Sequence, residues 1–143
     1  MRPLLFLPLF LYIIAFIDVI SYHISKKRYL EVSSAALILA GTLFHSIAIL
    51  VRTYQSGHLP VANVGETLLF YSWAIAAISA IVILRYGERF TELGTIPLAI
   101  LALSFSISAL PLSRPLPLIL RTYWFEIHVI TSFLGYALFT LAF

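Results

Sequence analysis

An all-α, polytopic integral membrane fold with about five transmembrane helices is what this sequence predicts, on three observations. Of its 143 residues, 62% are hydrophobic and only 10% are charged, whereas a soluble domain carries about 25% charged residues. The mean hydropathy is +1.03. The apolar residues fall into five runs close to the ~20 residues that a helix needs to span a bilayer, and polar punctuation separates them. Cysteine is absent, which excludes self-attachment of a c-type haem, thiolate metal sites and disulfide relay. The aliphatic and aromatic content excludes disorder. In so apolar a chain, nine Lys/Arg against six Asp/Glu signal topology, with no nucleic-acid partner implied.

The first span covers 3–20. Arg2 before an apolar run resembles a signal peptide, but Asp18 and the triplet Lys26-Lys27-Arg28 stand where a small-residue cleavage site would be, so the helix is expected to be retained. The second span, 33–51, stops at Arg52. The third, 67–84, follows Glu66, whose carboxylate suits the positive end of a helix dipole. The fourth, 93–110, is ended by a proline-rich stretch from Pro111 to Pro117. Leu116 to Tyr123 is expected to lie along the interface before the fifth span, 125–143. Asp18 and Glu126 are the only charged residues inside these limits, each close enough to a span end to reach water. The whole forms a single transmembrane domain.

Orientation follows from the basic residues. Lys26, Lys27, Arg28, Arg85 and Arg89 fall in connections one and three, against Arg2, Arg52, Arg114 and Arg121 on the other side. The compact triplet places connections one and three in the cytoplasm, the N-terminus outside, and connections two and four facing the exterior. The apolar run continues to Phe143 with no polar tail, so the chain is expected to be the N-terminal portion of a longer protein.

Histidine supplies the candidate chemistry, because neutral imidazole ligates iron and accepts protons. His23 reads as a solvated residue of connection one. His45 lies within the second span with Gly41 and Arg52 on its face. Either it hydrogen-bonds a neighbouring helix or it serves as a ligand. His58 sits in the external run Gly57-His58-Leu59-Pro60-Val61-Ala62-Asn63. His128 lies one turn into the fifth span with Trp124 at i−4, Ser132 at i+4 and Tyr136 at i+8, a stripe equally suited to a ligand and to an interfacial anchor. Ser104 with Ser108, and Thr131 with Gly135, read as small-residue packing faces.

Two blocks carry a resemblance. The stretch from His45 and Arg52 into GHLPVANVGETLLFYSW (57–73), and the stretch YWFEIHVITSFLGYALF (123–139), together resemble the CcsA/ResC family. Its members are the membrane subunits of the System II cytochrome c synthase. The matching residues are Gly57, His58, Pro60, Asn63, Glu66 and Trp73, then Trp124, His128, Val129, Tyr136 and Ala137. The resemblance implies cytochrome c biogenesis: binding haem b and delivering it to the external membrane face for covalent attachment to apocytochrome c. It implies a CcsB/ResB-type membrane partner, and a bacterial inner or thylakoid membrane. His128 matches the family's first external axial ligand, placing haem iron on His128. Trp124 and Phe125 would face the macrocycle, and Arg52 or Arg121 would meet the propionates. His45 and His58 are further haem-contact candidates.

This sequence also departs from the family. The tryptophan-rich segment and the second external histidine are absent, so these residues alone are not expected to form a competent haem lyase. Gly65 replaces an aromatic before Glu66 and is expected to loosen the loop. Rival readings are a HemX-like accessory protein of haem biosynthesis, a b-type cytochrome membrane subunit, and a transporter of unrelated solutes.

Overall fold

The computed structural model describes residues 2–110 and 122–142, and holds five helices: α1 (Arg2–Ser25), α2 (Arg28–Ser56), α3 (Val64–Tyr86), α4 (Glu92–Ala109) and α5 (Tyr123–Ala142). No strand occurs among the described residues. All five helices are long and apolar enough to cross a membrane. Large apolar side chains stand exposed around the bundle, among them Phe10, Ile17, Leu50, Leu84, Phe105 and Phe139, as expected where lipid is the solvent.

The first two helices run past the expected spans by up to five residues, about one and a half turns. α1 continues to Ser25, so His23 belongs to its last turn and Asp18 lies well inside it. There Asp18 is half-buried and accepts the Ser33 hydroxyl at 2.6 Å. Connection one shrinks to Lys26 and Lys27, because Arg28 already opens α2. Lys26 makes the reversal in the left-handed region (φ 56°). Elsewhere glycine takes that conformation: Gly57 (φ 72°) and Gly87 (φ 66°) end α2 and α3, returning their N–H groups to Thr53 and Ile83. The expectation for 116–121 lies outside the described residues.

Two helical hairpins, α1–α2 and α3–α4, pack into a four-helix bundle, and α5 lies mainly along α3. Between apolar helices in lipid, small residues and interhelical hydrogen bonds decide the packing. The α3–α4 seam shows both. Ala74, Ala76, Ala80, Ala99 and Ala102 are buried. Ser72 donates to the Ala99 carbonyl at 2.8 Å, Ser79 to Thr95 Oγ1 at 2.8 Å, and Ser106 to the Gly65 carbonyl at 2.7 Å. Ser104 and Ser108, by contrast, bond carbonyls of their own helix, to Ile100 and Ser104. Thr131 likewise bonds its own helix, and a Cβ at Gly135 would meet nothing. Those two pairs are therefore not packing faces. α5 is the loosest member: 6% of its apolar window is buried, against 50% for α3.

At the end of the bundle carrying connections one and three, Arg89 holds two helices together. Its Nη1 donates to Glu92 at 2.9 Å, and its Nε lies 3.8 Å from Glu31. Glu92 is buried in the first turn of α4, where a carboxylate also suits the helix dipole.

Candidate functional site

The other end of the bundle is organised by a buried ion pair. Arg52 sits two turns beyond His45 on the inward face of α2, and Glu66 occupies the first turn of α3. Arg52 donates from Nε at 3.0 Å and from Nη2 at 2.7 Å to the same oxygen, Glu66 Oε1. The two residues are 4% and 1% exposed. Charges so deeply buried are tolerable only when paired and hydrogen-bonded. Glu66 meets that condition with its second oxygen, which accepts the Ala62 N–H at 3.1 Å. Its own N–H goes to the Asn63 side chain at 3.0 Å, so Asn63 is the N-cap of α3.

The chain between Gly57 and Asn63 is thereby drawn onto the bundle. Pro60 and Val61 are buried, and so is His58. His58 Nδ1–H donates to the Leu59 carbonyl at 2.7 Å, and the Ser56 hydroxyl donates to the His58 carbonyl at 2.9 Å. Gly65 does not loosen this loop. It lies in the first turn of α3, where a Cβ would come within 2.8 Å of the Ala109 backbone. Its role is close approach of α3 to the end of α4.

The two sequence blocks meet here. The Leu59 N–H reaches Glu126 Oε1 at 3.4 Å, a contact between residues 67 apart. Glu126 thus supports the loop, a role that its nearness to a span end did not reveal. α5 divides into two faces. Phe125, Val129, Ile130 and Phe133 pack on the core. Trp124 (82% exposed), His128 and Tyr136 point away from it. Ser132 donates to the His128 carbonyl at 2.8 Å, and Tyr136 meets Phe133 edge-on. His58 is accordingly turned inward and His128 outward.

His45 is fully buried. Its Nδ1 shares a long hydrogen bond, 3.4 Å, with the hydroxyl of Tyr12 on α1. Gly41 leaves room for that tyrosine, since a Cβ there would stand 2.6 Å from the ring. Nε2 of His45 has no hydrogen-bond partner among the described residues. At the next residue along α2, Ser46 accepts the indole N–H of Trp73 at 2.8 Å, tying α3 to α2. The helix-bonded reading of His45 therefore has its partner in Tyr12, which apolar periodicity alone did not single out. Arg121 lies outside the described residues. No group of three or more His, Cys, Asp or Glu side chains is set for a metal ion among the described residues.

No family model matches the chain. Among curated proteins it is similar to several named cytochrome c biogenesis protein CcsA. The protein of Prochlorococcus marinus (strain MIT 9303) is 30% identical over 105 residues, covering 71% of this chain and 33% of that protein. The one of Synechococcus sp. (strain RCC307) is 30% identical over 105 residues, covering 71% and 34%. The one of Prochlorococcus marinus (strain NATL1A) is 29% identical over 117 residues, covering 79% and 35%. The chain spans about a third of the length of these relatives. The chain is thus a CcsA-type segment, matching about a third of the length of these cytochrome c biogenesis proteins.

Proposed function

We propose that the chain acts in cytochrome c biogenesis by holding haem at the His58 end of the bundle and presenting it to apocytochrome c. One observation carries this reading. The motif loop 57–66 and the start of α5 are fastened together through Leu59 and Glu126, while His128 and Trp124 stay on the open face of that helix. An exposed imidazole one helical turn from an exposed indole fits haem. The imidazole offers an axial ligand and the indole an apolar face for the macrocycle. Haem is cargo in this scheme, and the thiols that add to its vinyl groups belong to the apocytochrome.

The remaining residues divide the work. Arg52, engaged with Glu66, fixes the loop, which leaves the propionates to Arg121. His45, held by Tyr12 inside the bundle, positions α1 against α2. The chain would act with a CcsB/ResB-type partner in a bacterial inner membrane or a thylakoid membrane, with connections two and four on the external side. A b-type cytochrome design, with paired imidazoles facing across the bundle interior, gains no support from a His45 whose neighbour is a tyrosine.

The test is a haem titration of the purified protein in lipid nanodiscs, read by the Soret band. His128→Ala is expected to weaken binding at least about tenfold, or about 1.4 kcal/mol. Wild-type affinity and an unchanged spectrum in that variant would remove His128 from the site.

A further inference from the structure

The side of α5 that meets the bundle follows a regular seam. Glu126, Phe133 and Thr140 recur every seven residues, with Ile130 and Ala137 between them. That alternation of four and three keeps all five on one narrow stripe of a helix. The stripe is where α5 docks: Ala137 is buried, and Ile130 and Phe133 pack on the core. The Phe133 ring stands between Phe70 and Tyr71 of α3, at 6.2 and 6.0 Å between centroids.

The two ends of the seam are polar. At one end Glu126 Oε1 accepts the Leu59 N–H at 3.4 Å. At the other, Thr140 gives its hydroxyl proton to the Tyr136 carbonyl at 2.8 Å, so the Tyr71 hydroxyl is the donor in its 2.7 Å bond to Thr140 Oγ1. The apolar part of the seam does not by itself select this rotation. Ile127, Leu138 and Phe139 offer apolar surface on other sides of α5, and in lipid no hydrophobic force favours one apolar face over another. Directional bonds at both ends therefore decide which way the helix is turned.

That rotation fixes the bearing of the candidate haem-contact residues. Trp124 and His128 lie two residues before and two after Glu126, so each is about 160° from it around the helix, on the side opposite the seam. We infer that Glu126 and the Tyr71–Thr140 pair are positioning residues, a clamp at each end of α5 that holds its axial rotation and so turns His128 and Trp124 outward together. The inference rests on the haem-handling function proposed above, and it gives that site a dependence on residues that need not touch haem.

The experiment reads rotation and haem binding separately, in phosphatidylcholine nanodiscs. Nitroxide labels are placed singly at Ile130→Cys, on the seam, and at Thr131→Cys, its exposed neighbour, and the accessibility of each to oxygen is compared. Ferric haem is titrated into the unlabelled protein. In the Glu126→Ala/Tyr71→Phe variant the contrast between the two labels is expected to collapse, and haem affinity to fall about tenfold with an altered Soret band. Glu126→Gln, which keeps an acceptor for Leu59, should retain both the contrast and the affinity. A contrast that survives in the double variant overturns this inference whatever haem does. A collapsed contrast with wild-type affinity overturns it as well, because haem contact would then not depend on how α5 is turned. Wild-type affinity in His128→Ala instead overturns the proposed function itself.

Discussion

Arg52 and Glu66, fourteen residues apart in sequence, meet through two nitrogens and a single carboxylate oxygen at 3.0 and 2.7 Å. The pair closes connection two beneath Asn63 and Ala62, which bond the Glu66 backbone and side chain.

Removing one member of this pair strands a buried charge. Arg52→Ala or Glu66→Ala is expected to destabilise the protein by about 3–5 kcal/mol, and the double variant by clearly less than the sum. Thermal or denaturant unfolding in mild detergent, run as a double-mutant cycle, measures the coupling. Additive effects would show that the two side chains do not depend on each other.

Two glycines should respond in opposite ways. Gly65→Ala drives a methyl into the Ala109–Leu110 backbone and is expected to cost about 1–3 kcal/mol. Gly135→Ala meets open space within a helix and should be neutral or stabilise by up to about 1 kcal/mol. Melting temperatures of the two variants, measured in the same detergent, decide the point.

The contact between Tyr12 and His45 depends on the missing side chain at Gly41. Gly41→Ala should displace the tyrosine ring and cost more than Tyr12→Phe, which removes only the hydroxyl. For the latter about 1 kcal/mol is expected. In a Tyr12→Phe background, Gly41→Ala should remain damaging, because the ring still fills the space. Unfolding measurements on the three variants would refute this if Gly41→Ala were silent.

The absence of cysteine makes orientation directly measurable. Gln55 and Lys27 are both exposed, at opposite ends of α2. In intact cells a membrane-impermeant maleimide is expected to label Gln55→Cys at once, and Lys27→Cys only after permeabilisation. The reverse pattern would invert the topology.

Hydropathy reveals the spans because lipid demands long apolar runs, and all five helices lie where those runs fall. Their ends were less legible. α2 and α3 extend through Arg52 and Glu66, charges that a hydropathy reading treats as punctuation but that neutralise each other inside the bundle. Rotation about each axis was harder still, because helices that are apolar on every side give little sign of which face turns inward. Ser106, not Ser104 or Ser108, therefore faces α3. Gly41, His45 and Arg52 on one face of α2 were readable, since polar groups in a span turn toward the interior. The Leu59–Glu126 contact joins residues too far apart for any spacing rule to predict.

The three serine bonds across the α3–α4 seam also have a mechanical consequence. They lie at different heights, so sliding one helix past the other by a turn, about 5.4 Å, would break all three at once. α3 and α4 thus act as a stator. α5 rides on it by van der Waals contact and by the 2.7 Å hydrogen bond between the Tyr71 and Thr140 hydroxyls. Any rocking of one helix against the rest of the bundle therefore falls to α5, the helix that carries His128.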